Sequence, residues 1–318
     1  MSAAAPPSPD AAVTAAARVK PARRYRPLFG GRPGLAQWVL LTPAQMLLVA
    51  LILVPAIWVG WLSLHKVSFT AEATFVGLGN FRALADDPVF WRAVWNTFVV
   101  VNAVVYGELL LGLGLAMLAA GWMPFRTLFI ALLIAPYAIN EVSAVAMWRF
   151  VLEPDIGMVS WALERVGIGQ LDWSANPFDA LLVASLLSIW IHTPFTFLIL
   201  YAALQAVPRE LMEAATVDGA GGWRVFVHVQ FPIILPALLV ALMFRYITAM
   251  RVFSEVWLLT EGGPARLTEV LAVYLYRAAF RYHEFGLASA TGLVMMLLSL
   301  TIALPYLYAA WKRMFSRV

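Results

Sequence analysis

From residue 38 onward the chain is a succession of long apolar runs separated by polar intervals. Six runs, at about 38–61, 94–120, 128–150, 179–203, 233–253 and 285–311, each exceed the roughly 20 residues an α-helix needs to cross a ~30 Å hydrocarbon core. The pattern predicts an all-α polytopic membrane protein with six transmembrane helices and both termini on one side. Trp38 and Trp61 bracket the first run, where indole rings settle at membrane interfaces. That run is too long for the apolar core of a cleaved leader, so an uncleaved first helix is expected.

The intervals divide the chain further. Residues 1–35 are rich in Ala, Pro and Arg with no recurring apolar face, which predicts a disordered basic tail ahead of a transmembrane domain at 36–318. Residues 151–178 carry Glu153, Asp155, Glu164 and Asp172 against Arg165 and predict short interfacial helices. In 265–284, Leu271, Tyr274, Leu275 and Ala278 fall on one stripe of an amphipathic helix. The longest internal polar interval, 204–231, has more structure. Pro208 suits a first helical turn, and 209–217 read as a short helix with Leu211, Ala214 and Ala215 near one face. Glu210 and Glu213 would meet water or a basic partner. Asp218-Gly219 marks a turn, Gly221-Gly222 adds backbone freedom, and Trp223, Phe226, Val227 and Gln230 form a second amphipathic stripe. Pro232 and Pro236 then begin the fifth span. A helix–turn–helix along the inner membrane surface is expected.

Composition narrows the class. The chain is 62% hydrophobic and 13% charged, with a mean hydropathy of +0.81, so lipid must solvate much of it. It has no cysteine, which excludes disulfides, iron–sulfur clusters and thiol catalysis. The formal charge of +4 comes from basic residues in the tail and loops, an arrangement of orientation signals rather than of a nucleic-acid surface. The tail, Arg126, Arg209, Arg224 and the Lys312–Arg317 end outweigh Lys66, Arg82, Arg92, Arg165, Arg266, Arg277 and Arg281 across the membrane. The positive-inside rule puts the tail, the 204–231 loop and the C-terminus in the cytoplasm. Lys20, Lys66 and Lys312 are the only lysines, and none sits in a phosphate-cradling glycine loop. His65, His192, His228 and His283 lie far apart without metal-ligand spacing, and no serine nucleophile elbow occurs, so no catalytic or metal residue is assigned.

The run Glu210-Leu-Met-Glu213-Ala214-Ala215-Thr-Val-Asp218-Gly219-Ala220-Gly221, closed by Phe231-Pro232 and Pro236, resembles the EAA loop of importer permeases of the ATP-binding-cassette (ABC) class. Gly77-Leu-Gly-Asn80-Phe81, Asn96-Thr97, Leu259-Thr260-Glu-Gly262-Gly263-Pro264, Tyr276, Ala279-Phe280 and Phe285-Gly286 look like the sugar-importer branch. The Thr-x-Gly-Gly-Pro run resembles the larger permease of a maltose-type pair. The likeness covers roughly residues 35–315; the chain lacks that relative's large extracytoplasmic insertion and has six predicted spans rather than eight. The resemblance implies the fold of a type I ABC importer permease. Its ATPase-coupling residues would be Glu210, Glu213, Ala214, Ala215, Asp218, Gly219, Ala220 and Gly221. It further implies a second homologous permease, a homodimeric ABC ATPase, an extracytoplasmic solute-binding protein, a carbohydrate substrate and an inner-membrane location. No cofactor is expected in this chain; ATP and Mg would sit on the ATPase.

Polar side chains inside spans are expensive and point to a wet interior. They are Asn102 and Glu108 in the second span, Asn140, Glu141 and Arg149 in the third, His192 in the fourth, and Arg245, Thr248 and Arg251 in the fifth. Most have a bland counterpart: Glu108 as a helix clamp pairing an arginine, Asn140/Glu141 as the cap of a helix broken after Pro136, Arg149 and Arg251 as snorkelling cations, and His192 as a core histidine beside Pro194. The resemblance to maltose-type permeases implies a mid-membrane sugar pocket at Ser188, His192, Phe195, Arg245, Thr248, Ala249 and Val252, with Phe195 as aromatic platform. Arg245 leaves open a polyol or sugar-phosphate substrate. A secondary transporter, coupled through Glu108 and Glu141, is the alternative of another class.

Overall fold

The computed structural model describes residues 35–69, 72–121, 123–167, 169 and 171–315. The predicted basic tail lies outside these residues except for Leu35, and so does Arg317. Five described helices are long and apolar enough to span a membrane, and six if a bent pair is counted as one span. The first, α1 (Leu35–Ser63), is apolar on all sides, as expected of a helix solvated by lipid. Its residues up to Ile57 form one unit, and Trp58 onward belongs to another.

The second unit holds the remaining helices and one minimal β-ribbon, β1 (His65–Lys66) antiparallel to β2 (Thr74–Phe75). After α2 (Gly79–Asp86), Asp87 caps α3 (Pro88–Ala120) by accepting the Val89 N–H at 2.8 Å, with Pro88 in the first turn where its missing N–H is harmless. The most intimate helix pair is α3 with α7 (Pro177–Gln205). Small residues allow it: Ala116 and Ala119 are buried on α3, Ala180 and Ala184 on α7, and a Cβ on Gly112 would stand 3.1 Å from the Phe197 backbone nitrogen.

The third predicted span departs from expectation. It is two helices, α4 (Arg126–Ile134) and α5 (Glu141–Val151), bent by 101° across a short 3₁₀ turn at Ala135–Ala138. Pro136 sits in that turn, Ile139 is extended, and Asn140 accepts the Val142 N–H at 2.9 Å, starting a new helix instead of continuing the old one. The short interfacial helix α6 (Met158–Arg165) follows.

The fifth span also differs. Helix α8 (Arg209–Val217) is separate, but α9 (Gly222–Val225) runs through a wide π turn, Phe226–Gln230, into α10 (Phe231–Ala249). The second arm of the predicted surface hairpin is therefore the foot of the span itself. Pro232 lies in the first turn of α10, and Pro236 is carried inside it. Beyond a break at residues 250–253, α11 (Ser254–Thr260) completes the element.

The segment that follows is tied down by the motifs singled out above. Gly263 donates to the Thr260 carbonyl at 2.8 Å, and the Thr268 hydroxyl donates to the Gly263 carbonyl at 2.6 Å. Asn96 of α3 donates to the carbonyls of Leu267 and Glu269 at 2.8 and 2.9 Å, and the Thr97 hydroxyl accepts the Leu271 N–H at 2.8 Å. Glu269, fully buried, holds Arg266 through two hydrogen bonds, which keep that guanidinium protonated above its ordinary range. In α12 (Leu271–Tyr276) and the π turn Arg277–Arg281, Leu271, Tyr274 and Ala278 of the predicted stripe are buried and Leu275 is half-buried. Burial, and then the hydrogen bond to Asp87 at 2.7 Å, raise the Tyr274 phenol. Finally α13 (Phe285–Phe315) begins against the ribbon: Asn80 donates to the carbonyls of Ser63 and His65, and Gly286 leaves room for that His65 carbonyl.

Candidate functional site

A cavity of about 590 Å³ opens among α5, α7, α10 and α11. Ser188 and His192 reach it from α7, Arg245, Thr248 and Ala249 from α10, and Val252 from the break that follows. Six of the seven predicted pocket residues thus share one wall. Phe195 is the exception: it lies one layer back, its ring stacked on Tyr137 at 6.3 Å, and Tyr137 is the aromatic side chain that lines the cavity. The bend in the third span turns Tyr137, Ile139 and Glu141 toward the space between α7 and α10, where a straight helix would carry them past it.

The charges are arranged in pairs. Arg245 grips Glu108 of α3 with Nε and Nη2, the latter 2.7 Å from Oε1, and its Nη1 donates to the Thr248 hydroxyl at 2.8 Å. Glu108 is fully buried behind this fork, so it serves as the arginine's clamp and leaves Nη1 and Thr248 at the cavity edge. The second pair is His192 Nε2 with Glu141 Oε1 at 3.4 Å; the other ring nitrogen is 3.0 Å from the Ser188 carbonyl, and Ser254 donates to Glu141 at 3.1 Å. Glu255, buried on the first turn of α11, lines the same space. Arg251 lines it as well, exposed and without a side-chain partner among the described residues. Asn102 lies apart, accepting the Tyr246 hydroxyl at 2.9 Å, and Arg149 donates to the Leu258 carbonyl at 3.1 Å. A half-wet cavity with one ring and a rim of hydroxyl, imidazole, guanidinium and carboxylate groups suits a polyhydroxylated ligand.

Sequence reasoning missed Tyr137, Ile139, Ile191 and Glu255. The available signals were a proline just ahead of a tyrosine inside an apolar run, and a lone carboxylate directly after the fifth span.

At the other end of α10, the polar loop forms a tight corner. Gly219 adopts φ +80°, the Ala220 N–H returns to the Ala215 carbonyl at 2.9 Å, and the Gly219 N–H returns to Thr216 at 3.0 Å. This pair of bonds is the Schellman stop, which a Cβ at Gly219 would strain. Met212 packs into the core with Phe226, and Gln230 donates to its sulfur at 3.1 Å, fixing α8 against the foot of the span. Glu210, Glu213, Ala214, Asp218, Gly219 and Gly221 are exposed, while Ala215 and Ala220 are half-buried. Trp223 does not join the buried stripe: it is 71% exposed, as is Val217 at 86%.

Comparisons agree with this architecture. A family profile described as "Binding-protein-dependent transport system inner membrane component" matches residues 34–312. The sulfoquinovosyl glycerol transport system permease protein SmoG of Agrobacterium fabrum is 36% identical over 85% of this chain and 88% of its own length. The trehalose/maltose transport system permease protein MalF of Thermococcus litoralis is 31% identical over 85% and 92%. Among solved structures, a chain of a bacterial alginate ABC transporter superposes with a TM-score of 0.75 at 21% identity, covering 85% of this chain and 92% of its own.

Proposed function

This chain belongs to the family of inner membrane components of binding-protein-dependent transport systems, and we propose that it is the sugar-conducting permease subunit of an ATP-driven importer. The observation that carries the reading is the cavity between α7 and α10, where Tyr137 offers a ring face and Ser188, His192, Arg245 and Thr248 offer hydrogen-bonding groups. A relative named for sulfoquinovosyl glycerol and another named for trehalose and maltose support a carbohydrate. The arginine on which a sugar-phosphate reading would rest, Arg245, is already matched by Glu108.

The loop of Glu210, Glu213, Ala214, Ala215, Asp218, Gly219, Ala220 and Gly221 docks on a cytosolic ATPase dimer, which holds ATP and Mg. Exposed Leu211, Val217 and Trp223 beside the two glutamates give that surface both apolar and acidic contacts. A second, homologous permease completes the channel, and an external binding protein delivers the sugar. Both termini face the cytoplasm. The ATPase binds the loop differently in its two states, and that difference moves α10 and reopens the cavity to the other side.

The test is reconstitution with the partner permease, ATPase and binding protein in liposomes. Sugar uptake that requires ATP and the binding protein and survives a protonophore is expected. Uptake by this chain without the ATPase, abolished by the protonophore, would overturn the reading in favour of a secondary transporter.

A further inference from the structure

A second cavity, of about 640 Å³, is lined by Arg149, Trp173, Ser174, Trp257, Glu261 and Arg277, among others. It shares a wall with the central one: on the seven-residue α11, Glu255 lines the central cavity, whereas Trp257 to Thr260 line this one. Its volume lies in the small-molecule range.

The lining is built for hydrogen bonding. Arg277 gives Nη2 to the Glu261 carbonyl, but its buried Nε has no hydrogen-bond partner among the described residues; the nearest carboxylate oxygen, on Glu269, is 3.9 Å away. The Arg277 guanidinium also lies 5.6 Å from the Trp257 ring centre. Arg149 is held by the Leu258 carbonyl and lies 5.4 Å from the Trp173 ring centre. Two guanidinium groups are therefore pinned by backbone and aromatic rings. Glu153 and Glu261 balance them, so the cavity carries donors, acceptors and indole edges without a net charge to favour an ion.

The geometry points to a second carbohydrate site at this outer position, which holds a neutral sugar ring before it enters the central cavity. This inference rests on the permease reading above. Ring hydroxyls accept from Arg149 and Arg277, others donate to Glu153 and Glu261, and α11 is the partition the sugar passes. A purely protein-docking role would leave the concavity without an occupant.

The chain contains no cysteine, so Ser174→Cys introduces the only thiol of this subunit at the cavity rim. In proteoliposomes of the full transporter without binding protein, labelling of that thiol by a membrane-impermeant maleimide is followed. The probes are the neutral sugars, trehalose and maltose among them, that the same transporter takes up with ATP and binding protein. Sugar alone is expected to slow labelling. Arg277→Gln, and as an exposed second variant Arg149→Gln, should each raise the protecting concentration about tenfold, the loss of one charged hydrogen bond. Unchanged labelling by a sugar that is taken up, or protection only when binding protein is added, overturns the site and leaves the permease reading standing. Failure to take up any carbohydrate with ATP and binding protein overturns the permease reading itself.

Discussion

Arg245 of α10 and Glu108 of α3 meet in a two-pronged ion pair, both side chains almost wholly sealed from solvent. The pair locks the two helices beside the cavity and leaves one guanidinium nitrogen for Thr248. Removing one member strands the other charge in a medium that cannot solvate it. Arg245→Ala should therefore destabilise the subunit by about 3–5 kcal/mol, measured by thermal unfolding in detergent. The double change Glu108→Leu with Arg245→Met should recover most of that stability. A double variant no more stable than the single would show that the pair is not a clamp.

Gly286 occupies a place where a Cβ would stand 2.1 Å from the His65 carbonyl oxygen and 2.9 Å from the Asn80 amide. Gly286→Ala must push the start of α13 away from the ribbon and from the hydrogen bonds of Asn80. A loss of about 1–3 kcal/mol is expected for such overpacking, seen as a lower melting temperature. Unaltered melting would mean that the ribbon yields freely.

Tyr137 is the ring that faces the cavity, with Phe195 stacked behind it. Tyr137→Ala should raise the KM for sugar uptake about tenfold, the scale of losing an aromatic contact and its packing, while Tyr137→Phe should retain most of the affinity. Phe195→Ala should act more weakly, through the stack. Equal effects of Phe195→Ala and Tyr137→Ala on KM would return Phe195 to the lining.

Glu213 stands exposed on α8 and makes no hydrogen bond or ion pair through its side chain within the described chain. Glu213→Lys should thus leave melting within about 0.5 kcal/mol of wild type yet abolish co-purification with the ATPase and stop uptake. Normal uptake by this variant would remove Glu213 from the docking surface.

Much of this was legible from hydrophobic runs alone, because lipid demands long uninterrupted apolar helices. Four spans appear close to where the runs put them. The third did not survive as one helix: its run is apolar throughout, and only Pro136 and Asn140 signalled that the backbone would turn there. The fifth was read too short because Gly222 and Pro232 look like breaks, whereas Gly222 begins the helical foot and the helix runs on through the π turn at Phe226–Gln230 and past Pro232. Asn96 was legible as a signature, but its hydrogen bonds to the Leu267 and Glu269 carbonyls span more than half the chain and leave no local trace. Tyr137 was missed for a related reason. In helices apolar on every side, nothing in the residue pattern says which face meets the cavity, and tertiary packing decides.

From Gly222 to Ala249 the backbone is a single rod, with the π turn the only irregularity. Ordinary loops tolerate gained or lost residues, but a rod does not. One inserted residue near Val225 would swing everything beyond it by about 100°, and Arg245 would leave Glu108. This stretch is a crankshaft whose phase is set by its length, so its number of residues is as tightly constrained as their identity.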